Sequence, residues 1–360
     1  MHDDQQKKTL NAGLLHLSIV AFLPPVPYAD INTGNNLKLR PIYNVAHMVN
    51  GNSQINEEWV NEANAIEVDL AFTNEGYPDK FYHGFPCDCG RKCSYSNDIV
   101  THFDTIRRKA LQDSTLGLLW IDLKLGNVND HNLSGEQVAI EMTKAGSLFP
   151  PGAVVPSIKV LLGVEKLNQK QFFSGFRKYI ENNRPELLPK FGYDFSSERS
   201  LGIDTILAAF QEVGIQENIW MGDGITNCLP LDNTRLIEIL KKRDSSTKLA
   251  PLKVYAWTSD RTSTMREWLQ LGIDAIITNY PNRLKTLVNE EFQNRLALAD
   301  SNTNPWERIK ASEAVPPLAR GCSKYIFQKY CWMYTTPSYW CWSSTKCDSN
   351  NDCYGNLQCS

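Results

Sequence analysis

No apolar run in these 360 residues is long enough to span a bilayer comfortably; the longest candidate, 13–23, is too short. No G-x-G-x-x-G follows the first strand-like run, which removes the dinucleotide fingerprint of a doubly wound sheet. Charge of one sign is not in excess: 37 Lys and Arg stand against 40 Asp and Glu, net −3, so there is no electrostatic reason to expect nucleic acid. No CxxC or His-rich partner accompanies the C-x-C-x-x-x-C run that starts at Cys87, which leaves a zinc reading poorly supported. What is present is the composition of a soluble globular protein, 42% hydrophobic and 21% charged. The length suits one large domain plus a small module.

The N-terminal 1–29 read as a signal peptide: Lys7 and Lys8, then the short apolar run, then Pro27-Tyr28-Ala29 ending in a small residue. The mature chain would begin near Asp30, and secretion to the extracellular space is the expectation. Ten cysteines agree with an oxidising compartment. Four of them (Cys87, Cys89, Cys93, Cys228) belong to the large domain, and six (Cys322, Cys331, Cys341, Cys347, Cys353, Cys359) crowd the C-terminus. The expected domains are a barrel with a C-terminal plug over 30–310, a Pro-containing linker over 311–321 and a Cys-rich module over 322–360. The module is too small to bury a sufficient core, so disulfides must staple it. Its many Trp and Tyr residues serve either as that small core or as a grip on a lipid interface or glycan.

From Arg40 onward, apolar strand-like runs alternate with amphipathic helix-like runs. Strands are expected at 42–49, 65–72, 116–125, 154–163, 193–196, 218–221, 253–258 and 275–279. Helices are expected at 57–63, 135–147, 169–182, 200–213, 231–243, 261–271 and 281–290. Asp232 and Asp260 precede helices, where a carboxylate caps free N–H groups. Eight strand–helix units over about 250 residues predict an α/β fold, a (β/α)8 TIM barrel with a small disulfide-rich C-terminal module.

In such a barrel the active site lies at the C-terminal ends of the strands. His47 falls at the end of strand one, and Glu67 and Asp69 near the end of strand two. Those carboxylates are two residues apart, so they share a face. His83 falls on the following loop or short strand, Asp122 and Lys124 near the end of strand three, and Trp257 at the end of strand seven. Three carboxylates suit Mg²⁺, one ion, with a substrate phosphate completing its shell. Lys124 offers a point charge to a phosphate oxygen. Two histidines let one take a proton while the other gives one. His102 and His131 read instead as satisfied, half-buried imidazoles.

The chain resembles the secreted phospholipase D / sphingomyelinase D family of arachnid venoms, the dermonecrotic toxins, which is itself similar to glycerophosphodiester phosphodiesterases. The matching segments are R-P-I-Y-N-V-A-H-M-V-N from Arg40, A-N-A-I-E-V-D-L-A-F from Ala63, Y-H-G-F-P-C-D-C-G-R-K-C from Tyr82 and I-D-L-K from Ile121. P-E-L-L-P-K-F-G-Y-D-F-S from Pro185, I-W-M-G-D-G-I-T-N-C-L-P from Ile219, V-Y-A-W-T from Val254 and I-T-N-Y-P from Ile277 continue the match. The resemblance implies that His47 and His83 are the catalytic pair and that Glu67, Asp69 and Asp122 hold Mg²⁺. It places Lys124, Tyr255, Trp257, Asp260 and Asn279 around the phosphate and head-group. It pairs Cys87 with Cys93 and Cys89 with Cys228, and makes Asn304-Pro305-Trp306 a plug at the far end of the barrel. The implied reaction releases choline or ethanolamine from sphingomyelin and lysophospholipids by intramolecular attack, giving a cyclic phosphate. The implied partners are phospholipid and sphingolipid substrates at membrane surfaces, met by a monomer with no transmembrane anchor and no nucleic acid. Ala256 and Leu125 depart from the family pattern, and both are expected to bear on how the head-group and lipid seat. Two alternatives stand beside this reading: a glycerophosphodiester phosphodiesterase that uses water, and a non-enzymatic lipid- or glycan-binding protein on a vestigial barrel.

Overall fold

The computed structural model describes residues 39–196, 198–245 and 249–309, and the backbone of two short strands at Met333–Thr335 and Tyr339–Cys341. The expected signal peptide, the expected linker and the cysteines of the expected C-terminal module lie outside the described side chains.

In chain order the strands are β1 (Arg40–Ala46), β2 (Ala65–Phe72), β3 (Pro78–Tyr82), β4 (Ser96–Asn97), β5 (Leu118–Lys124), β6 (Lys159–Val164), β7 (Phe191–Phe195), β8 (Trp220–Gly224), β9 (Lys253–Trp257), β10 (Ala275–Thr278) and β11 (Leu296–Leu298). The helices are α1 (Glu58–Asn61), α2 (Ile99–Gln112), α3 (His131–Thr143), α4 (Gln171–Asn183), α5 (Ile203–Glu212), α6 (Thr234–Arg243), α7 (Thr262–Leu271) and α8 (Pro281–Thr286). Eight strands run parallel in the order β7-β6-β5-β2-β1-β10-β9-β8. A parallel bridge from Tyr193 to Ile219 brings the two ends together, so the sheet is nearly closed into a barrel. All eight expected strands are present. The fourth starts later than expected, at Lys159, because Pro156 has no N–H to give a ladder.

Alternation along the strands sorts the side chains into two cores. Outward residues such as Ile66, Val68, Leu119, Ile121 and Leu162 pack under the helices. Inward residues Tyr43, Val45, Leu118, Trp120, Leu161, Trp220, Tyr255 and Ile277 fill the barrel. Residues 299–306 cross the end where the strands begin: Ala299 N donates to Ile42 O at 2.9 Å and Ser301 N to Ser114 O at 2.9 Å. Trp220 Nε1 donates to Pro305 O at 3.1 Å, and Trp306 Nε1 to Pro189 O at 3.0 Å. That end is therefore stopped by packed aromatics, and the opposite end is left for chemistry.

Two local features differ from expectation, and one agrees. Helix α2 stands where none is expected; Asp98 caps it by accepting from Thr101 N at 2.9 Å, and Ile99, Phe103, Ile106 and Ala110 are its buried stripe. Asp260 does not cap α7, since its carboxylate is taken by side chains and a backbone N–H elsewhere. Asp232 does accept from Thr234 N, at 3.1 Å.

Candidate active site

The inward alternation continues to the open end and turns from apolar to charged there. Asp69 pairs in register with Asp122, Asp122 with Gly163, and Gly163 with Asp194, so these positions form one level across four strands. Above and around this level lies a cavity of about 360 Å³. His47, Glu67, Asp69, His83, Asp122, Lys124, Tyr255 and Trp257 all line it, so the structure brings together most of the residues expected from sequence.

Glu67, Asp69 and Asp122 each offer a carboxylate oxygen, and these atoms lie within 4.8 Å of one another. Glu67 and Asp69 are buried. Burial, and then the Asp69 charge, push Glu67 up to about 8, against the lowering effect of His47. Burial alone would raise Asp69, but Lys124, His83 and an Asn50 hydrogen bond of 2.7 Å lower it overall. Asp122 Oδ1 is buried without a hydrogen-bond partner. Crowded carboxylates with an unsatisfied oxygen are a donor set that fits a hard divalent cation, which would relieve their mutual repulsion. Lys124 Nζ currently serves the same carboxylates, 2.6 Å from Asp122 Oδ2 and 3.0 Å from Asp69 Oδ1. Burial would lower its pKa, yet the two carboxylates hold it well above the usual lysine value.

Both histidines are anchored through Nδ1. His47 Nδ1 lies 3.1 Å from Asp88 Oδ2 and 3.1 Å from Asn279 Oδ1. His83 Nδ1 lies 2.7 Å from Gly84 O. With acceptors at Nδ1, the remaining nitrogen, Nε2, is the one left for proton exchange in each ring. His47 Nε2 lies 3.9 Å from Glu67 Oε2, and the two rings stand 6.4 Å apart at 85°. Burial disfavours charge on His47, but the Asp88 hydrogen bond and the Asp88, Glu67 and Asp69 charges outweigh it and raise its pKa to about 9.

Asp88, which the sequence does not single out, also lines the cavity and holds His47. It sits between Cys87 and Cys89, and both disulfides, Cys87–Cys93 and Cys89–Cys228, are formed as expected. The bridges fix its loop, and Thr226 Oγ1 donates to Asp88 Oδ1 at 2.8 Å while Asn279 Nδ2 donates to Oδ2 at 3.2 Å. Burial would raise Asp88, but these hydrogen bonds and His47 hold it below the usual carboxylate range. The one sequence signal was an acid flanked by two cysteines beside a candidate catalytic histidine.

Asp260 and Asn279 stand behind the cavity wall. Asp260 Oδ1 accepts Asn279 N at 2.9 Å, and Oδ2 accepts Asn227 Nδ2 at 2.7 Å and Asn279 Nδ2 at 3.0 Å. Asp260 thus holds Asn279, which holds His47. Tyr255 is fully buried, and its hydroxyl donates to Asp194 Oδ2 at 2.6 Å. Two glycines of β8 make room for the aromatics of β9: a Cβ at Gly222 would fall 2.6 Å from the Tyr255 ring, and one at Gly224 2.2 Å from Trp257. Ala256 and Leu125 do not line the cavity. Both are buried in the layer between barrel and helices, because alternation turns them outward, so neither can touch a head-group directly, against the expectation that they bear on how the head-group and lipid seat.

A family model described as Dermonecrotic toxin SPH matches residues 37–306. The chain is 38% identical over 278 residues to dermonecrotic toxin LiSicTox-betaIA1ii of Loxosceles intermedia, covering 75% of this chain and 90% of that one. It is 37% identical over 306 residues to dermonecrotic toxin LlSicTox-betaIA1 of Loxosceles laeta, covering 82% and 99%, and 36% identical over 282 residues to dermonecrotic toxin Hl-PLD1 of Hemiscorpius lepturus, covering 76% and 86%. Among solved structures, a glycerophosphodiester phosphodiesterase from Parabacteroides distasonis aligns at TM-score 0.44 and 14% identity, over 70% of this chain and all of that one.

Proposed function

The chain belongs to the dermonecrotic toxin SPH family, an enzyme family of the phospholipase D type, and on that premise we propose that it is a secreted, Mg²⁺-dependent phospholipase D that forms cyclic phosphates. Its substrates on this reading are sphingomyelin and lysophospholipids, and it frees choline or ethanolamine. The observation that carries the reading is one cavity lined by two histidines anchored through Nδ1 and by three carboxylates with Lys124.

Glu67, Asp69 and Asp122 would hold the metal, which when bound would supply positive charge to a phosphodiester oxygen. Lys124 gives a second positive charge close by. One histidine takes the proton of the lipid hydroxyl that attacks phosphorus, and the other gives a proton to the departing head-group oxygen. Asp88 fixes the orientation of His47 and favours its protonated form, as the buried aspartate does in a hydrolase triad. Trp257 offers an aromatic face to an ammonium head-group. The two disulfides support secretion, since such bridges persist in oxidising compartments. Among the described residues no helix is long and apolar enough to cross a membrane.

The test is a panel of choline, ethanolamine and serine lipids, assayed for head-group release with Mg²⁺ and then with EDTA. Release is expected with Mg²⁺, loss in chelator, and recovery on adding metal back. No release from any lipid, or full activity in chelator, contradicts it.

A further inference from the structure

Large apolar side chains are exposed beside the mouth of the cavity. Phe85, between His83 and the Cys87–Cys93 bridge, is 93% exposed, more than any other large hydrophobic among the described residues. Leu229, 46% exposed, follows Cys228, whose bridge to Cys89 ties its loop to that of Phe85. Tyr280, 43% exposed, follows Asn279, the partner of His47. Pro86 and Cys228 line the cavity. Three loops thus each present an apolar side chain one residue away from a group that lines the cavity or holds its histidine.

Folding does not account for this exposure, because an open phenylalanine contributes no burial. The size of the cavity suggests what covers it. A volume of about 360 Å³ lies at the small end of sites for drug-sized ligands. It suits a head-group and a phosphodiester, and leaves the long chains of a membrane lipid outside. Positive charge near these loops is engaged within the protein. Arg91 donates to His47 O at 3.0 Å, Arg283 stacks on Tyr280 and donates to Asp260 O, and Lys80 lies 3.7 Å from Asp79. Lys92 lies over the Tyr95 ring. The residues flanking Phe85, Leu229 and Tyr280 (Gly84, Pro86, Cys228, Pro230, Asn279 and Pro281) carry no charge, so the rim itself offers apolar insertion rather than a cation for anionic lipid.

We infer that Phe85, Leu229 and Tyr280 form a docking rim that enters the interface of a zwitterionic bilayer and seats the cavity over a head-group while the lipid chains stay in the membrane. This rests on the phospholipase D reading of the same site. The rim side chains touch no reacting atom; they set the distance and tilt of the cavity relative to the membrane.

The experiment uses the full chain in two arms. In the first, co-sedimentation with phosphatidylcholine vesicles is measured in EDTA, so that binding is read without turnover. In the second, turnover of a soluble short-chain lysolipid is measured with Mg²⁺, below the concentration at which it forms micelles. Phe85→Ser should weaken vesicle binding about tenfold and Leu229→Ser somewhat less, while Phe85→Leu restores most of it. Soluble turnover should stay within about twofold for all three, since general acid/base groups are untouched. Vesicle binding equal to wild type in both serine variants, or no binding by the wild type, overturns the docking rim. If Phe85→Ser also lost soluble turnover, Leu229→Ser would decide, and binding retained there would overturn the inference. A wild type that binds vesicles but turns over no soluble lipid keeps the rim and refutes the enzymatic reading, so the two failures are distinguishable.

Discussion

At the scale of single residues, His47 depends on neighbours far away in sequence. Its partner Asp88 arrives on a disulfide-bound loop, and Asn279 arrives from the end of β10 under the control of Asp260. Asp88→Asn keeps the shape but removes the charge that orients His47 and favours its charged form. It should lower kcat about 10²-fold or more with little change in metal affinity, read by kinetics beside titration calorimetry. His47→Ala and His83→Ala should each cost at least as much with the fold intact by circular dichroism; a variant keeping more than about a tenth of activity contradicts the assignment. His102 makes a separate prediction about stability. It is fully buried, with Nε2 2.9 Å from Val49 O and Nδ1 2.8 Å from Asn52 Oδ1, and burial lowers its pKa from 6.5 to about 4. The unfolded chain therefore takes up a proton near pH 6.5 that the folded chain refuses until about pH 4. The stability contribution is present above pH 6.5 and is lost as pH falls from there to about 4. Between pH 7 and 5 that loss is about 2 kcal/mol. Urea unfolding of wild type and His102→Gln at both pH values should show a correspondingly smaller pH effect in the variant.

At the scale of elements, alternation decides what reaches the site. Glu67 and Asp69 were legible as a pair because period two puts them on one face, and Asp122 and Lys124 repeat the pattern on the neighbouring strand. The eight barrel strands were legible for a related reason: each is a short apolar run bounded by loops. Alternation also shows why Ala256 and Leu125 stay out of the cavity, which the resemblance alone did not reveal. Asp88 was not legible, since its contact with His47 joins residues 41 apart on separate loops and no local pattern marks the contact. Nor was Asp260 as a support for Asn279; an acid just before a helix reads locally as a cap, and only the closed barrel brings β10 beside it. Helix α2 carried a usable signal, Asp98 followed by Ile99, Phe103, Ile106 and Ala110, which the strand-centred reading passed over. The glycines of β8 add a prediction at this scale. Gly224→Ala should push Trp257 from its position, cost about 1–3 kcal/mol by thermal or urea unfolding, and reduce turnover of head-group lipids. Unchanged stability and activity would contradict the packing described.

At the scale of the whole molecule, the barrel is stopped at one end by residues 299–306 and open at the other, where the charged level, the two histidines and the disulfide-bound loop meet. The domain limits proposed from sequence, including the module over 322–360, leave every candidate catalytic residue inside the barrel. A metal at the three carboxylates predicts that Asp122→Asn, which removes one charge from the set, weakens Mg²⁺ binding by an amount visible in titration calorimetry. The chemistry itself is tested most directly by following the phosphorus. Purified protein with Mg²⁺ and a lysolipid bearing a free hydroxyl should be watched by phosphorus NMR from the first minutes. A cyclic phosphate is predicted as the initial product, formed by the neighbouring hydroxyl, with one histidine taking its proton and the other giving one to the departing head-group oxygen. A phosphomonoester as the initial product would mean that water attacks, and would contradict the account.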